Sequence, residues 1–274
     1  DVVSTIATTT EACGFHSLWA PEHIVLLDKY ASKYPYTSDG VMPFASMEVD
    51  ILDPFIALTY AAAVTKTIRL GTGICLLPER HPLTTAKEVA SLDKLSKGRF
   101  DFGVGIGWLE EEFKAAGTPF ERRGARFDDY VQAMRKFWSG DTVEHKSDFI
   151  DWTGFKSNPT PIQNPLPIVI GGTKGKAFQR TALHGNGWFA PTASPDQLAP
   201  MLDELDAACK EAGRDRSEIE VTAMWFPNPA DPQDVDSYRD MGVGRLVVVL
   251  PALGKGNPAE NLKSFGDNVL AKLA

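Results

Sequence analysis

Short apolar runs that end in glycine, alternating regularly with helical segments, predict a parallel α/β fold of the (β/α)8 (TIM) barrel class. Three runs carry the signal: IRLGTGICLLP from Ile68, FDFGVGIGW from Phe100 and PIVIGGTKG from Pro167. Each is too short and too β-branched for a helix. Each is also apolar on both faces, as a buried parallel strand is. Glycines at the strand ends put bare backbone on the edge where such folds bind ligands, beside the amide-rich start of the next helix. The pattern points to a phosphate-bearing cofactor at the carboxyl ends of the strands.

The elements follow in order. Val2 to Cys13 has helical spacing and stops at Gly14, and HSLWAP, His16 to Pro21, reads as a strand. A polar loop with tyrosines and proline runs from Lys29 to Ser46. Pro54 to Thr65 is a helix, Arg69 to Leu76 a strand, and Thr84 to Leu95 an amphipathic helix closed by the Lys97-Gly98 turn. Phe100 to Gly105 is a strand. Glu121 to Trp138 is a long helix with Phe127, Tyr130, Val131, Met134 and Phe137 at helical spacing. The residues from about 140 to 164 are polar and aromatic with prolines, an excursion from the repeat. Then come a strand at Ile168 to Ile170, a helix at Lys176 to Leu183 and a strand at Gly187 to Ala190. Ser194 and Pro195 open a helix that runs from Asp196 to Ala212. Ile219 to Trp225 is a strand, Asp234 to Met241 a helix, Gly244 to Leu250 a strand and Asn261 to Leu273 the closing helix. No strand–GxGxxG–helix unit with a downstream acid is present, so one barrel domain over residues 1–274 is expected rather than an open dinucleotide-binding sheet. The first element is a helix, so the opening strand of the barrel is expected upstream of Asp1.

Composition narrows the function. The 274 residues are 43% hydrophobic and 23% charged, with 28 Lys and Arg against 36 Asp and Glu, a net charge of −8. An acidic chain without a basic stripe is a poor partner for nucleic acid or anionic membrane. Cys13, Cys75 and Cys209 form no spaced cluster, which argues against a disulfide framework and a zinc site and fits a reducing cytoplasm. No apolar run reaches the roughly 20 residues of a membrane span, and the chain starts without a basic-then-apolar signal segment.

The ordered segments WAPEH, then IRLGTGICLLPERHPLTTAKEVASLDKLSKGRFDFGVGIGW, then PIVIGG resemble the luciferase-like monooxygenase superfamily. Within it the chain is most similar to the coenzyme F420 (deazaflavin)-dependent oxidoreductases. The likeness runs from Thr9 to the end, and Ile68 to Trp108 is its most specific part. It implies hydride transfer between F420 and a small organic substrate. Flavin mononucleotide (FMN) users share the same blocks, so an FMN-dependent monooxygenase and a non-catalytic flavin- or deazaflavin-binding protein stay open. An unrelated aldolase or isomerase barrel would need a Schiff-base lysine or paired acids at strand ends, and the expected strands offer no inward lysine.

The resemblance assigns roles to individual residues. Gly73 and Ile74 match a pair joined by a non-prolyl cis peptide, in a bulge that props the middle of the tricyclic ring. Read alone, Gly73 could merely end a strand. Glu22 and His23 match an acid–histidine pair reaching the ring and the substrate, with His23 suited to carry a proton near neutral pH. Gly105 and Gly107, with Gly103, allow close backbone approach, and Trp108 stands where related sugar-phosphate dehydrogenases carry an acidic glutamate. An indole has no proton to exchange, so an apolar or aromatic substrate is expected. Glu110, Glu111 and Glu112 suit the first turn of a helix, where carboxylates favour the dipole. Gly171, Gly172 and Thr173, leading to Lys174, Lys176 and Arg180, are the phosphate candidates. Lys174, Lys176 and Arg80 could offset the F420 polyglutamate tail. The aromatic loops with Tyr34 and Tyr36, and with Trp152 and Phe155, are either lids or local packing. The resemblance also implies a homodimer.

Overall fold

The computed structural model describes residues 1–43, 49–191, 194–226 and 234–273. The elements in chain order are α1 (Val2–Ala12), β1 (Ser17–Ala20), α2 (Pro54–Val64), β2 (Arg69–Thr72), β3 (Cys75–Leu76), α3 (Pro82–Leu95), β4 (Phe100–Gly105), α4 (Glu110–Ala115) and α5 (Arg123–Phe137). There follow β5 (Val143–Lys146), β6 (Asp151–Phe155), β7 (Ile168–Gly171), α6 (Ala177–His184), β8 (Gly187–Ala190), α7 (Pro195–Ala212), β9 (Glu220–Trp225), α8 (Asp234–Asp240), β10 (Arg245–Val248), α9 (Pro258–Phe265) and α10 (Ala271–Leu273). The chain forms two compact units, residues 1–19, 64–71 and 167–274 in one and residues 20–63 and 72–166 in the other.

In the first unit β7, β8, β9 and β10 pair in parallel, with Ile170 opposite Trp188, Trp188 opposite Val221, and Met224 opposite Val247. Trp188 is fully buried among Phe178, Leu198, Leu205, Val221 and Ala223. Burying side chains of this size is the main stabilising term of such a layer. α7 starts at a capping box, Ser194 with Gln197, and ends at Gly213 in the left-handed region at φ 66°. At the end of α1, Glu11 accepts the backbone amides of Lys66, Thr67 and Ile68. Burial opposes its ionisation, but those amides outweigh it and hold the carboxyl down at about 2.

In the second unit β3 pairs in parallel with β4, Cys75 opposite Val104 and Leu76 opposite Gly105. Phe55, Phe100 and Phe102 pack at 6.2–6.3 Å between ring centroids. Trp138 meets Phe102 edge-on and donates to the Ala86 carbonyl. The fully buried Asp93 accepts the amides of Ile162 and Gln163 and the Gln163 side chain, which fastens the far end of the excursion to α3. The excursion is an antiparallel hairpin, β5 with β6. His145 and Ser147 of that hairpin both bind Asp129 of α5, at 2.8 and 2.7 Å.

Four differences from the sequence reading have local causes. The strand expected over Arg69–Leu76 is two strands, because Gly73 and Ile74 bulge between them. α3 begins at Pro82 rather than Thr84, since proline suits a first helical turn. The triplet Glu110–Glu112 does open a helix, but it is the short α4, separate from α5. The closing helix breaks into α9, a wide turn over Gly266–Leu270, and α10. The last residues of the loop expected to end at Ser46 lie outside the described residues. Among the described residues no helix is long and apolar enough to cross a membrane.

Candidate functional site

Most of the expected site residues belong to the second unit and gather at the carboxyl end of β4. The Gly73–Ile74 peptide is cis, as the resemblance implies. Gly73 donates to the Ala20 carbonyl at 2.7 Å, and Thr72 donates to Gly103 at 2.6 Å. Ile74 then lies on Gly105. A Cβ added at Gly105 would stand 2.2 Å from Ile74 Cδ1. Glycine is thus required at position 105 for the bulge to sit against β4. Gly105→Ala is expected to push Ile74 off its rotamer and lower the unfolding free energy by about 1–3 kcal/mol, measured by urea denaturation.

Gly107 has φ +74°, a left-handed conformation natural to glycine. A Cβ there would meet Phe113 at 2.6 Å and Glu79 Oε1 at 3.0 Å. Trp108 follows, half-buried. Its ring is met edge-on by His23 at 6.4 Å, Tyr30 at 5.5 Å and Tyr34 at 5.2 Å. Tyr36 in turn meets Tyr34 at 5.2 Å, and burial raises the Tyr36 hydroxyl above its ordinary range. The tyrosine loop therefore packs on Trp108. Trp152 is buried against Phe137, so it is hairpin core and not a lid.

Glu22 and His23 follow β1 and face different partners. Glu22, 4% exposed, accepts the Leu76 amide at 2.5 Å and the Arg80 Nε at 2.6 Å. Its carboxylate fixes the segment that leaves the bulge. Arg80 is not a free counter-charge for a cofactor tail. Its guanidinium is shared by Glu22, Asp53 and Glu88 and lies 4.8 Å from the centre of the Phe55 ring. His81, its exposed neighbour, occupies the N-cap position of α3 without a side-chain capping bond. Burial, reinforced by Glu22, pushes the Cys75 thiol well above its usual value, so it is no nucleophile.

His23 Nδ1 lies 2.7 Å from Glu112 Oε2, and the other Glu112 oxygen accepts the amides of Ile24 and Val25. The expectation that Glu110–Glu112 serve only the α4 dipole is corrected for two of the three. Glu112 is fully buried as the partner of His23, and Glu111 binds the hydroxyl and amide of Ser32 and the amide of Ala31. The Ser32 hydroxyl, helped by these amides, holds the Glu111 carboxyl down at about 2. A carboxylate only accepts, so the contact with Glu112 needs the His23 proton on Nδ1.

Glu79, Glu112 and the wiring of Arg80 were not expected from the sequence. The available signal was weak: a glutamate beside Arg80 in LLPERHP, and one beside the buried Phe113 in LEEEF.

The phosphate candidates lie in the first unit. β7 ends at Gly171; Gly172 has φ +123° and its carbonyl accepts from Trp188 Nε1 at 2.8 Å. Thr173 does not open α6 directly, because a bend through Lys174, Gly175 and Lys176 intervenes and α6 starts at Ala177.

Parallel strand–helix alternation with an acid–histidine cluster at strand ends defines an α/β-barrel protein, a class that carries its chemistry on that edge. More narrowly, the chain belongs to the luciferase-like monooxygenase family, whose model matches residues 3–241. An uncharacterized protein of Mycobacterium tuberculosis is 31% identical over 272 residues, covering 98% of this chain and 92% of that protein. The F420-dependent hydroxymycolic acid dehydrogenase of the same organism is 26% identical over 254 residues, covering 92% of this chain and 69% of that protein. An F420-dependent secondary alcohol dehydrogenase, solved in complex with an F420-acetone adduct, has the same fold. It superposes with a TM-score of 0.79 at 16% identity, covering 98% of this chain and 93% of that chain.

Proposed function

We propose that this member of the family is an F420-dependent oxidoreductase acting on a small apolar or aromatic substrate. The observation that carries the reading is the His23–Glu112 pair, whose histidine meets the half-buried Trp108, in the same compact unit as the cis Gly73–Ile74 bulge. The residues present suit a flat ring: the apolar Ile74 side chain lies on Gly105, and Trp108, three residues further along the chain, meets the His23 ring at right angles. The F420-dependent dehydrogenase relative supports the same choice of cofactor.

In this reading the deazaflavin supplies a carbon that gives or takes a hydride, and the protein does the rest. His23 Nε2 holds or releases the proton at the substrate oxygen or nitrogen. Glu112 fixes the His23 tautomer and steadies its charged form. Trp108, Tyr30 and Tyr34 exclude water, which strengthens every charge interaction nearby. Glu22 is a positioning residue here, since both its oxygens are engaged at Leu76 and Arg80. Gly171, Gly172 and Thr173 are proposed separately as phosphate-binding residues. A partner other than substrate is proposed only as a second copy of the chain, and α2 offers the face for it. Ile56 and Tyr60 are 72% and 47% exposed there, on a helix without charged residues.

The second reading is an FMN-dependent monooxygenase; the family description supports its monooxygenase part. Fluorescence titration of the purified chain with F420 and with FMN separates the two. Saturable binding of F420, followed by its reduction in the presence of alcohols, is expected. Binding of FMN alone would overturn the F420 reading, and F420 binding without turnover on alcohols, enones and nitroaromatics would leave a carrier.

A further inference from the structure

Three carboxyl groups are buried in the cluster beside Gly107: Glu22, Glu79 and Glu112, at 4%, 7% and 1% exposure. Glu22 is answered by an amide and by Arg80, and Glu112 by two amides and His23. Glu79 has no such bond among the described residues: both its oxygens are buried without a hydrogen-bond partner. It ends the turn Leu77–Glu79, and its Oε1 lies under Gly107, 3.0 Å from where a Cβ would stand.

The charges that face Glu79 come from every side. Glu112 approaches from α4 and Glu22 from the segment after β1, and both repel a negative charge at Glu79. Arg80, next in the chain, attracts one, but it already serves Glu22, Asp53 and Glu88. Arg123 of α5 is turned to the Gly107 carbonyl, to which its Nε donates at 3.1 Å. An ionised Glu79 would thus be a third buried negative charge with one shared cation and no amide to solvate it. Such groups keep their proton instead.

We propose that Glu79 is a positioning residue held as a neutral carboxylic acid, whose proton keeps Glu112 fastened on His23. Losing that proton sets a carboxylate against Glu112 from beneath and loosens the acid–histidine pair. Burial first, then Glu112 and Glu22, push the Glu79 carboxyl up to about 9, against the pull of Arg80, so the neutral form persists through physiological pH. The consequence for catalysis rests on His23 being the proton carrier; the protonation state of Glu79 does not.

The test uses the whole chain without cofactor, so its failure is separable from a failed F420 titration. Infrared spectra of protein labelled with carboxyl-13C glutamate are expected to show a protonated-acid carbonyl band at pH 7. The band should titrate away near pH 9 and be missing in Glu79→Gln, a near-isosteric change that preserves a neutral side chain. In parallel, the NMR signal of the His23 Nδ1 proton on Glu112 should fade in the wild type as pH rises through that range and persist in Glu79→Gln. Absence of the band in the wild type, or its survival in Glu79→Gln, overturns the proposal. So does a His23 signal that fades at the same pH in both proteins. The wild-type titration stands even if the variant folds poorly.

Discussion

Arg80→Leu is expected to lower the unfolding free energy by about 3–5 kcal/mol, because it strands a buried carboxylate. Glu22 is 2% exposed in its side chain, and the cation that answers it among the described residues is Arg80, whose own side chain is 15% exposed. The same guanidinium also offsets Asp53 and Glu88 and lies over Phe55. Leucine would fill much of the volume, so the loss is electrostatic rather than a cavity. Urea denaturation at pH 7 measures the loss. Arg80→Lys should recover only part of the loss, since an ammonium replaces one of the three contacts well and the planar fork not at all. Equal stability of wild type and Arg80→Leu at pH 7 would mean that the cluster is wet and its charges screened.

The framework of this protein is largely written in local sequence, whereas the site is not. β4 was readable to the residue because FDFGVG is continuous, apolar on both faces and closed by glycines. The start of α7 was readable from its capping signal at Ser194 and Pro195. These are short-range properties of the chain, decided by a few neighbouring dihedrals and hydrogen bonds. The role of Glu112 is of another kind. Its partners His23, Ile24 and Val25 lie 87 to 89 positions away in sequence. Nothing in LEEEF distinguishes a glutamate that caps a helix from one that crosses to a loop. Arg80 illustrates the same limit. An arginine after a strand reads as a surface cation, and only the approach of Glu22 and Asp53 turns it inward. The Gly73–Ile74 bulge is intermediate. Resemblance supplied its cis peptide, while the residues alone left a glycine equally suited to ending a strand.

Glu112→Gln is expected to leave the fold in place and cut proton-coupled turnover by two to four orders of magnitude, the range of a positioned acid–base group. A glutamine oxygen can still accept the Ile24 and Val25 amides, so the loop should remain attached. The other end of the amide is the difference. Its NH2 donates where the carboxylate accepted, so it can meet His23 only if Nδ1 carries the lone pair. The His23 proton then moves to Nε2, the atom that faces the substrate in the proposed reaction. An imidazole in that tautomer cannot accept a proton there, and its charged form loses the carboxylate that balances it. Long-range proton–nitrogen NMR reads the tautomer directly, independent of any substrate. The wild type should show protonated Nδ1 and the variant protonated Nε2. Cofactor affinity in the variant should stay within a few fold, which separates loss of chemistry from loss of binding. Should Glu112→Gln keep full turnover, His23 would not be the proton carrier, and its contact with Glu112 would serve only to hold the loop.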